Sequence, residues 1–251
     1  MISAETTQKL QQLLASQPTY KPNQTVQAAL KDINVSCFVG ATCVGKTTLM
    51  DALVAYRPQY YGKTRNFTSR PPRADDDPKR YYYYEHSDAG LAPVFARIAQ
   101  HENLQHNINP YNLTVYGSEL ADYPHPMNVG DIFSSSIDGF RQLGFGTLHV
   151  FSVVTDPDAW RTRLEQRFPS DHPQLHARLE EAVASLTWSL AQTAQDHAWV
   201  INPPNDIQAA VTAVDAIIRG ENASNQAEAQ NLATACLEQA KKLLNDTTPY
   251  V

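Results

Sequence analysis

NVSCFVGATCVGKTTLMDALVAY, the sequence of residues 34–56, contains the features that decide the fold. The apolar run over 34–39 predicts a buried strand, and the run over 49–56 predicts a helix. Between them, residues 40–48 match the pattern G-x-x-x-x-G-K-[ST], in which backbone N–H groups and the positive end of a helix converge on a polyphosphate. We therefore predict a phosphate-binding loop. The alternative is an ordinary turn between a strand and a helix, or a loop that has lost its ligand.

The residues of the loop have distinct predicted roles. Gly40 and Gly45 adopt backbone angles that a side chain would obstruct. Lys46 neutralises phosphate oxygens as a point charge, and the hydroxyl of Thr47 binds magnesium. The predicted ATP-binding set is Gly40, Ala41, Thr42, Cys43, Val44, Gly45, Lys46, Thr47 and Thr48, with ATP and Mg²⁺ as the cofactors.

Composition narrows the classes of partner. The chain has 251 residues and a net charge of −6, so no global positive field attracts nucleic acid or anionic membranes. No apolar run approaches the roughly 20 residues that span a bilayer, and the N-terminus lacks a signal-peptide pattern. We expect a cytoplasmic protein that binds neither nucleic acid nor membrane. The three cysteines show no C-x-x-C spacing, which argues against a disulfide framework and a zinc site.

Strands and helices alternate along most of the chain. We predict strands near 130–136, 147–154 and 198–201, and helices near 156–167, 174–195 and 205–218. This alternation is typical of an α/β fold with a parallel sheet flanked by helices. We place an N-terminal helical extension at 1–32, the P-loop domain at 33–220 and a C-terminal helical extension at 221–251. The last helix packs either on its own domain or on a second subunit, which would make a homo-oligomer.

A basic segment follows the first helix. Between positions 63 and 80 lie the basic residues Lys63, Arg65, Arg70, Arg73, Lys79 and Arg80. Prolines hold Arg70 and Arg73 on an extended backbone, and two guanidinium groups held together suit a second phosphate. The alternative is a solvated basic loop that is balanced by three consecutive aspartates, 75–77.

Several short motifs in this order resemble those of guanylate kinases. The matching stretches are Thr68-Ser-Arg-Pro-Pro-Arg73 with the four tyrosines 81–84, Tyr116-Gly-Ser118, Arg161-Thr-Arg-Leu-Glu-Gln-Arg167, Ala177-Arg-Leu179 and Val200-Ile-Asn202. With the phosphate-binding loop, the resemblance covers about residues 34–219. It implies a P-loop NTPase fold with a small acceptor-binding subdomain, at about 64–125, and a helical lid, at about 161–178.

The resemblance also implies the roles of individual residues. An acceptor phosphate would be bound by Arg70, Arg73, Tyr82 and Tyr116, where the position of Tyr82 within the tyrosine run is open by one residue. Transfer would be stabilised by Lys46, Arg163, Arg167 and Arg178, and Asn202 would orient the adenine. Without the resemblance, the helical spacing of Arg163, Arg167 and Arg178 would predict that they form surface salt bridges. Their partners would be Glu165, Glu180 and Glu181.

Two departures from the family pattern concern the acceptor. Guanylate kinases read guanine with a glutamate and a serine, and the matching positions here are Asn107 and Asn66. An amide offers one acceptor and one donor to the two adjacent donors of guanine, so GMP is disfavoured. Gln105 and Asn109 are alternative base readers.

The second departure is the family's aspartate-rich strand end, where this chain has Ser134 and Ser136. Ser136 is the candidate for contact with the acceptor. Asp131 and Asp138 flank the stretch and are alternative carboxylates.

Three functions follow. The first is an ATP-dependent kinase acting on a small phosphorylated acceptor, a nucleoside monophosphate. The second is a sugar-phosphate kinase that resembles ribose 1,5-bisphosphate phosphokinase. The third is a guanylate kinase-like binding module with little catalysis, which would not need Lys46 or the lid arginines.

Overall fold

The computed structural model describes residues 2–73, 76–77, 80–109, 112–221 and 225–247. The described strands are β1 (Asn34–Val39), β2 (Tyr61–Lys63), β3 (Asn66–Thr68), β4 (Tyr81–Tyr83), β5 (Gln105–Ile108), β6 (Val115–Ser118), β7 (Met127–Asp131), β8 (Thr147–Val154) and β9 (His197–Ile201). The described α-helices are α1 (Ala4–Ser16), α2 (Gln24–Leu30), α3 (Lys46–Tyr56), α4 (Asp88–Ala99), α5 (Ile137–Leu143), α6 (Pro157–Arg167), α7 (Leu175–Leu190), α8 (Ile207–Ile218) and α9 (Gln226–Asp246).

The chain divides into two compact units. The loop unit consists of residues 35–61, 129–138 and 148–251, and the second unit consists of residues 1–34, 62–128 and 139–147. No helix in the described parts of either unit is long and apolar enough to span a bilayer.

A five-stranded parallel sheet, in the order β2-β7-β1-β8-β9, is flanked by helices. This confirms the predicted α/β class. Residues 35–39 of β1 and 150–154 of β8 are buried, which explains why these strands read as unbroken apolar runs. Because the strands are parallel, their carboxyl ends share one edge, and this edge carries the loop after β1, Asp131 at the end of β7 and Asn202 after β9.

The second unit contains a four-stranded sheet in the order β4-β3-β6-β5. One face of this sheet is apolar and packs on α4 and α1. Its core includes Leu10, Phe67, Leu91, Val94, Ile98, Ile108 and Val115. The first helix therefore buries Leu10 in this core.

Most predicted elements are confirmed, and the strand near 130–136 is misplaced. β7 ends at Asp131, and residues Ser134–Ser136 form a 3₁₀ turn. Within the predicted strand, the side chain of Phe133 is 65% exposed, so it does not continue the buried strand. The helix predicted near 174–195 also ends earlier, at Leu190.

The C-terminal helix packs on its own unit. α9 lies against α7, β9 and α6, and its buried face consists of Ala229, Ala233, Cys236 and Ala240. Of the two alternatives for this helix, packing on its own domain is thus confirmed. A homo-oligomer through its remaining surface stays a prediction, and residues 222–224 and 248–251 of the extension lie outside the described residues.

Candidate functional site

The phosphate-loop motif adopts a conformation that requires its two glycines. Gly40 has φ +150° and Gly45 has φ +97°. A Cβ on Gly40 would lie 2.6 Å from the carbonyl oxygen of Val153, and one on Gly45 would lie 2.2 Å from Nδ2 of Asn202. Cys43 also has a positive φ, of 65°. The loop is therefore tightly enclosed by β8 and by the residue that follows β9.

Lys46 begins α3 and folds its side chain back over the loop. Its Nζ donates to the carbonyl oxygens of Gly40, at 2.7 Å, and Ala41, at 3.2 Å. The same atom lies 3.8 Å from Oδ1 of Asp131. Because two of its partners are uncharged carbonyls, the ammonium group keeps much of its attraction for anions.

Side chains from distant parts of the loop unit brace the loop carbonyls. The indole Nε1 of buried Trp160 donates to the carbonyl of Thr42 at 2.8 Å. Nδ2 of buried Asn202 donates to the carbonyl of Val44 at 2.9 Å, and Nη1 of Arg163 approaches the same oxygen at 3.5 Å. These contacts hold the loop in one shape, which reduces the reorganisation that ligand binding would otherwise require.

A cavity of about 630 Å³ opens beside the loop. It is lined by Cys43, Gly45, Lys46, Thr47, Thr48, Asp131, Arg163, Arg167, Asn202, Pro203, Pro204, Asn205 and Ile207. Three cationic side chains thus meet one carboxylate in the lining. The positive balance and the hydroxyl groups suit a polyphosphate.

Asp131 is the acidic group that the cavity contains. It stands at the end of β7, beside β1 in the sheet, and it lines the cavity, whereas Ser134 and Ser136 do not. Of the alternatives left open by the sequence, Asp131 is therefore the one placed at the loop. A threonine hydroxyl and a carboxylate are hard oxygen donors, so Thr47 and Asp131 suit Mg²⁺, which usually binds few protein groups together with phosphate and water.

Cys43 lines the same cavity but is not an activated thiol. Burial raises the pKa of Cys43 above its usual value, and the nearby positive charges of Arg167 and Lys46 only partly oppose this effect. The thiolate, which is the reactive form, is therefore disfavoured.

Arg178 differs from the other two lid arginines. Arg163 and Arg167 line the cavity from α6, whereas Arg178 lies on α7 and is not in the lining. Its Nη1 donates to Oε2 of Glu181 at 2.8 Å. For Arg178 the structure thus contains the salt bridge that was the alternative to a role in phosphoryl transfer.

The second group of predicted residues lies on the four-stranded sheet. Asn107, Tyr116, Thr68 and Tyr83 are neighbours in successive strands, in that order across the sheet. Directly paired residues project to the same face. Asn66 shares this face because it lies two positions before Thr68. The face opposite the apolar core is thus the polar face of this sheet, and Gln105 belongs to it by the same alternation.

Tyr82 lies on the other face. Its hydroxyl donates to Oδ2 of buried Asp122 at 3.2 Å, and its ring packs edge-on against Phe67. The rings of Tyr81 and Tyr83 instead lie 5.0 and 5.8 Å from the guanidinium carbon of Arg70. The tyrosines that can share a ligand with this arginine are therefore one position away from the predicted one.

Arg70 is paired with an internal anion. Its Nη1 and Nη2 donate to the two carboxylate oxygens of Asp76, at 2.7 and 2.6 Å. Oδ2 of Asp76 also accepts from the backbone N–H of Arg73, at 2.6 Å, and from the hydroxyl of Tyr83, at 2.7 Å. The bond to Arg70 is the main reason why the pKa of Asp76 falls well below its usual range. Four donors thus converge on one carboxylate.

The rest of the basic segment is dispersed. Lys63 pairs with Asp77 at 2.7 Å, and the side chain of Arg73 is exposed. Lys79 and Asp75 lie outside the described residues. Two of the three aspartates, Asp76 and Asp77, therefore balance basic residues of this segment, as the alternative to phosphate binding predicts. The pair with Asp76 lies where the resemblance predicts an acceptor phosphate.

Neither a protein-family model nor a curated protein sequence matches the chain. The solved structures that are similar in part include two kinases. A guanylate kinase from Anaplasma phagocytophilum is 14% identical, with a TM-score of 0.49 over 75% of this chain and 86% of that one. A gluconokinase from Sinorhizobium meliloti 1021 is also 14% identical, with a TM-score of 0.33 over 86% of this chain and 99% of that one. Similarities at this level do not place the chain in either family.

Proposed function

We propose that this protein is a kinase that transfers a phosphoryl group from Mg-ATP to a small phosphorylated acceptor, a nucleoside monophosphate other than GMP. The observation that carries the proposal is the cavity of the loop unit. There, Lys46, Arg163 and Arg167 surround a phosphate-binding loop whose shape is fixed by Trp160 and Asn202.

In-line phosphoryl transfer requires positioning and the neutralisation of negative charge. Lys46 would exchange its carbonyl partners for the β- and γ-phosphates of ATP. Thr47 and Asp131 would hold Mg²⁺, which withdraws charge from those oxygens. Arg163 and Arg167 would stabilise the charge on the transferring group. Asn202 donates to the loop, and this contact supports a positioning role in addition to the predicted one beside the adenine.

The acceptor would bind at the polar face of the four-stranded sheet. Its phosphate would take the place of the Asp76 carboxylate among the donors of Arg70, Arg73 and Tyr83, since both groups are anions that accept bidentate bonds. Tyr116 and Asn107 follow in the same row of the sheet and would contact the remainder of the acceptor.

A sugar phosphate is the second candidate acceptor. The row offers an amide at Asn107 and phenolic hydroxyl groups at Tyr116 and Tyr83, and no carboxylate among the described residues that form it. Such groups both donate and accept hydrogen bonds, as sugar hydroxyls do. This composition favours an acceptor with several hydroxyls over a guanine base.

The test is acceptor-dependent release of ADP. The purified chain is incubated with Mg-ATP and a panel of nucleoside monophosphates, deoxynucleoside monophosphates and ribose phosphates. We expect turnover with one class of acceptor and its loss in Lys46→Ala. The matched control is Lys242→Ala, at an exposed position of α9, which should match the wild type.

Each outcome separates the functions. Turnover with a ribose phosphate and with no nucleotide would identify a sugar-phosphate kinase. ATP binding without turnover on any acceptor would favour a binding module. If ATP did not bind at all, the kinase proposal would be wrong.

A further inference from the structure

A second cavity, of about 690 Å³, lies within the second unit, away from the polar face of its sheet. It is formed by α1, the 3₁₀ turn Gln17–Thr19, α4 and β5. Apolar side chains make most of its wall, among them Leu13, Phe95 and Ile98. Known binding sites for small organic molecules have this size and a mostly apolar lining.

The cavity contains a polar group that has no protein partner. His106, on β5, lines it and is only 7% exposed. Neither Nδ1 nor Nε2 of His106 has a hydrogen-bond partner among the described residues. Buried polar groups in folded proteins are nearly always paired, so an imidazole with both nitrogens unpaired within the protein is suited to a partner from outside it. Its burial lowers the pKa of His106 to about 4, so at neutral pH the ring offers one donor and one acceptor.

Flat rings stand around this histidine. The rings of Tyr20 and His101 stack at 5.2 Å with an angle of 2° between their planes. The Tyr20 ring also meets that of His106 edge-on at 4.5 Å. Two hydrogen bonds hold this arrangement, from the Tyr20 hydroxyl to the Asn103 carbonyl at 2.9 Å and between Nδ1 of His101 and the Lys21 carbonyl at 2.6 Å. The aromatic wall is therefore fixed in advance of any ligand.

The charge at the cavity favours a neutral occupant. Lys9 lines the rim, and its Nζ is paired with Glu5 at 3.0 Å. The remaining lining residues are apolar, aromatic or uncharged. A charged ligand would lose its hydration without gaining an opposite charge.

From these observations we propose that the cavity is a binding site for a small, neutral, planar aromatic molecule that forms a hydrogen bond with His106. The site belongs to the second unit alone and does not depend on the proposed kinase activity. The ring of the ligand would pack against the apolar and aromatic wall, and a polar atom on its edge would satisfy the imidazole.

The test uses indole and indene, two bicyclic probes of similar shape, of which only indole has an N–H donor. Binding to the full chain is measured by titration calorimetry, and the imidazole nitrogens of His106 are followed by ¹⁵N NMR. We expect saturable binding of indole, about tenfold weaker binding of indene, and a shift of the acceptor nitrogen of His106 on addition of indole.

Three variants test where the probe binds. Ala96→Trp, from an exposed position of α4 that lines the cavity, should fill it and weaken indole binding at least tenfold. The same replacement at Ala235, an exposed position of α9 in the loop unit, should leave binding unchanged. His106→Phe should abolish the preference for indole over indene.

Absence of saturable indole binding to the wild type would overturn the proposal, and so would binding that survives Ala96→Trp. The first result would mean that the cavity does not bind the probe, and the second that the probe binds elsewhere on the chain. Binding that persists in Lys46→Ala, which removes the ATP-binding lysine, would support a site that is independent of the phosphate loop.

Discussion

Cationic side chains are held in opposite ways in the two regions that the sequence marks as functional. In the loop cavity, backbone carbonyls of Gly40 and Ala41 orient Lys46 at hydrogen-bond distance, while the Asp131 carboxylate lies farther from it, at 3.8 Å, and another carbonyl lies against Arg163. On the polar face of the four-stranded sheet, a carboxylate, that of Asp76, holds Arg70. A carbonyl orients a cation and leaves its charge in place, whereas a carboxylate neutralises it.

The difference predicts different affinities for anions. The loop cavity has three cations against Asp131 and is ready for a polyphosphate. At Arg70 an acceptor phosphate would have to compete with an internal anion that accepts four hydrogen bonds. ATP should therefore bind more tightly than the acceptor, and the acceptor site should be the one that a single charge removal can improve.

The largest effect is expected from the cavity arginines. Replacing Arg163 or Arg167 by Ala should lower turnover by about 10³-fold or more, because these groups would stabilise charge in the transition state. Arg161→Ala is the matched control on the same helix. Its side chain is 50% exposed and pairs with Glu165, so turnover should stay within about twofold of wild type.

Rates of ADP release at saturating ATP and acceptor measure this effect. Arg178→Ala belongs in the same series. Arg178 is paired with Glu181 and is absent from the lining of the loop cavity. We therefore expect the turnover of Arg178→Ala, like that of Arg161→Ala, to stay within about twofold of wild type. A loss at Arg178 as large as that at Arg163 would instead support the role implied by the resemblance.

The shape of the loop should matter nearly as much as its charge. Gly45→Ala should weaken ATP binding by about a hundredfold, because the residue has φ +97° and its Cβ would meet the Asn202 amide. Gly139→Ala is the control, since a Cβ there meets nothing within 4 Å. Calorimetric titration with ATP compares the two. Normal ATP affinity in Gly45→Ala would show that the loop conformation with a positive φ at Gly45 is not the one that binds nucleotide.

On the polar face, removing the internal anion should have two opposite effects. Asp76→Asn leaves the Arg70 charge without its partner and should lower the free energy of unfolding by about 3 kcal/mol. It should also lower the KM for the acceptor, because phosphate no longer competes with a carboxylate. The control is Asp77→Asn, whose partly exposed pair with Lys63 should contribute less than about 1 kcal/mol.

Urea denaturation and acceptor kinetics measure the two effects separately. If the KM rises in Asp76→Asn while the protein remains folded, Asp76 itself contributes to acceptor binding. In that case Arg70 would be a structural residue of the loop, as the balanced-loop alternative states.

The sequence predicts the loop site better than the acceptor site for a physical reason. The loop is a local motif, and its strand, turn and helix are consecutive in the chain. The contact of Trp160 with Thr42 joins residues 118 positions apart, so no local sequence pattern predicts it. The sequence pattern around an isolated tryptophan on a helix predicts a core residue. Trp160 is indeed buried, but the pattern does not show that its indole N–H also contacts the loop.

On the four-stranded sheet, the periodicity of the sequence leaves the faces of the tyrosine run undecided. Four consecutive tyrosines carry no alternation of polar and apolar residues, so the faces of β4 cannot be assigned until its pairing with β3 is known. The pairing with Asn66, Phe67 and Thr68 places Tyr82 on the core face. Arg70 likewise has three neighbouring aspartates as possible partners in the sequence. Only the folded segment shows that its partner is Asp76.

The smallest predicted effect concerns acid, and it separates the loop cavity from the second cavity, because the described lining of the loop cavity contains no histidine. In the second unit, burial lowers the pKa of His106 from 6.5 to about 4. Between these values the unfolded chain binds a proton that the folded chain does not, so stability falls as the pH drops. From pH 7 to 5 this histidine should cost about 2 kcal/mol, and the loss should stop below pH 4. His106→Phe should be less sensitive to acid by that amount in urea denaturation at the two pH values. His149→Phe, in the loop unit, tests whether a half-buried histidine, whose pKa burial also lowers, has a similar effect. If wild type and His106→Phe lose the same stability between pH 7 and 5, the imidazole takes up its proton as readily in the folded chain as in the unfolded one, and burial in the second cavity does not lower its pKa.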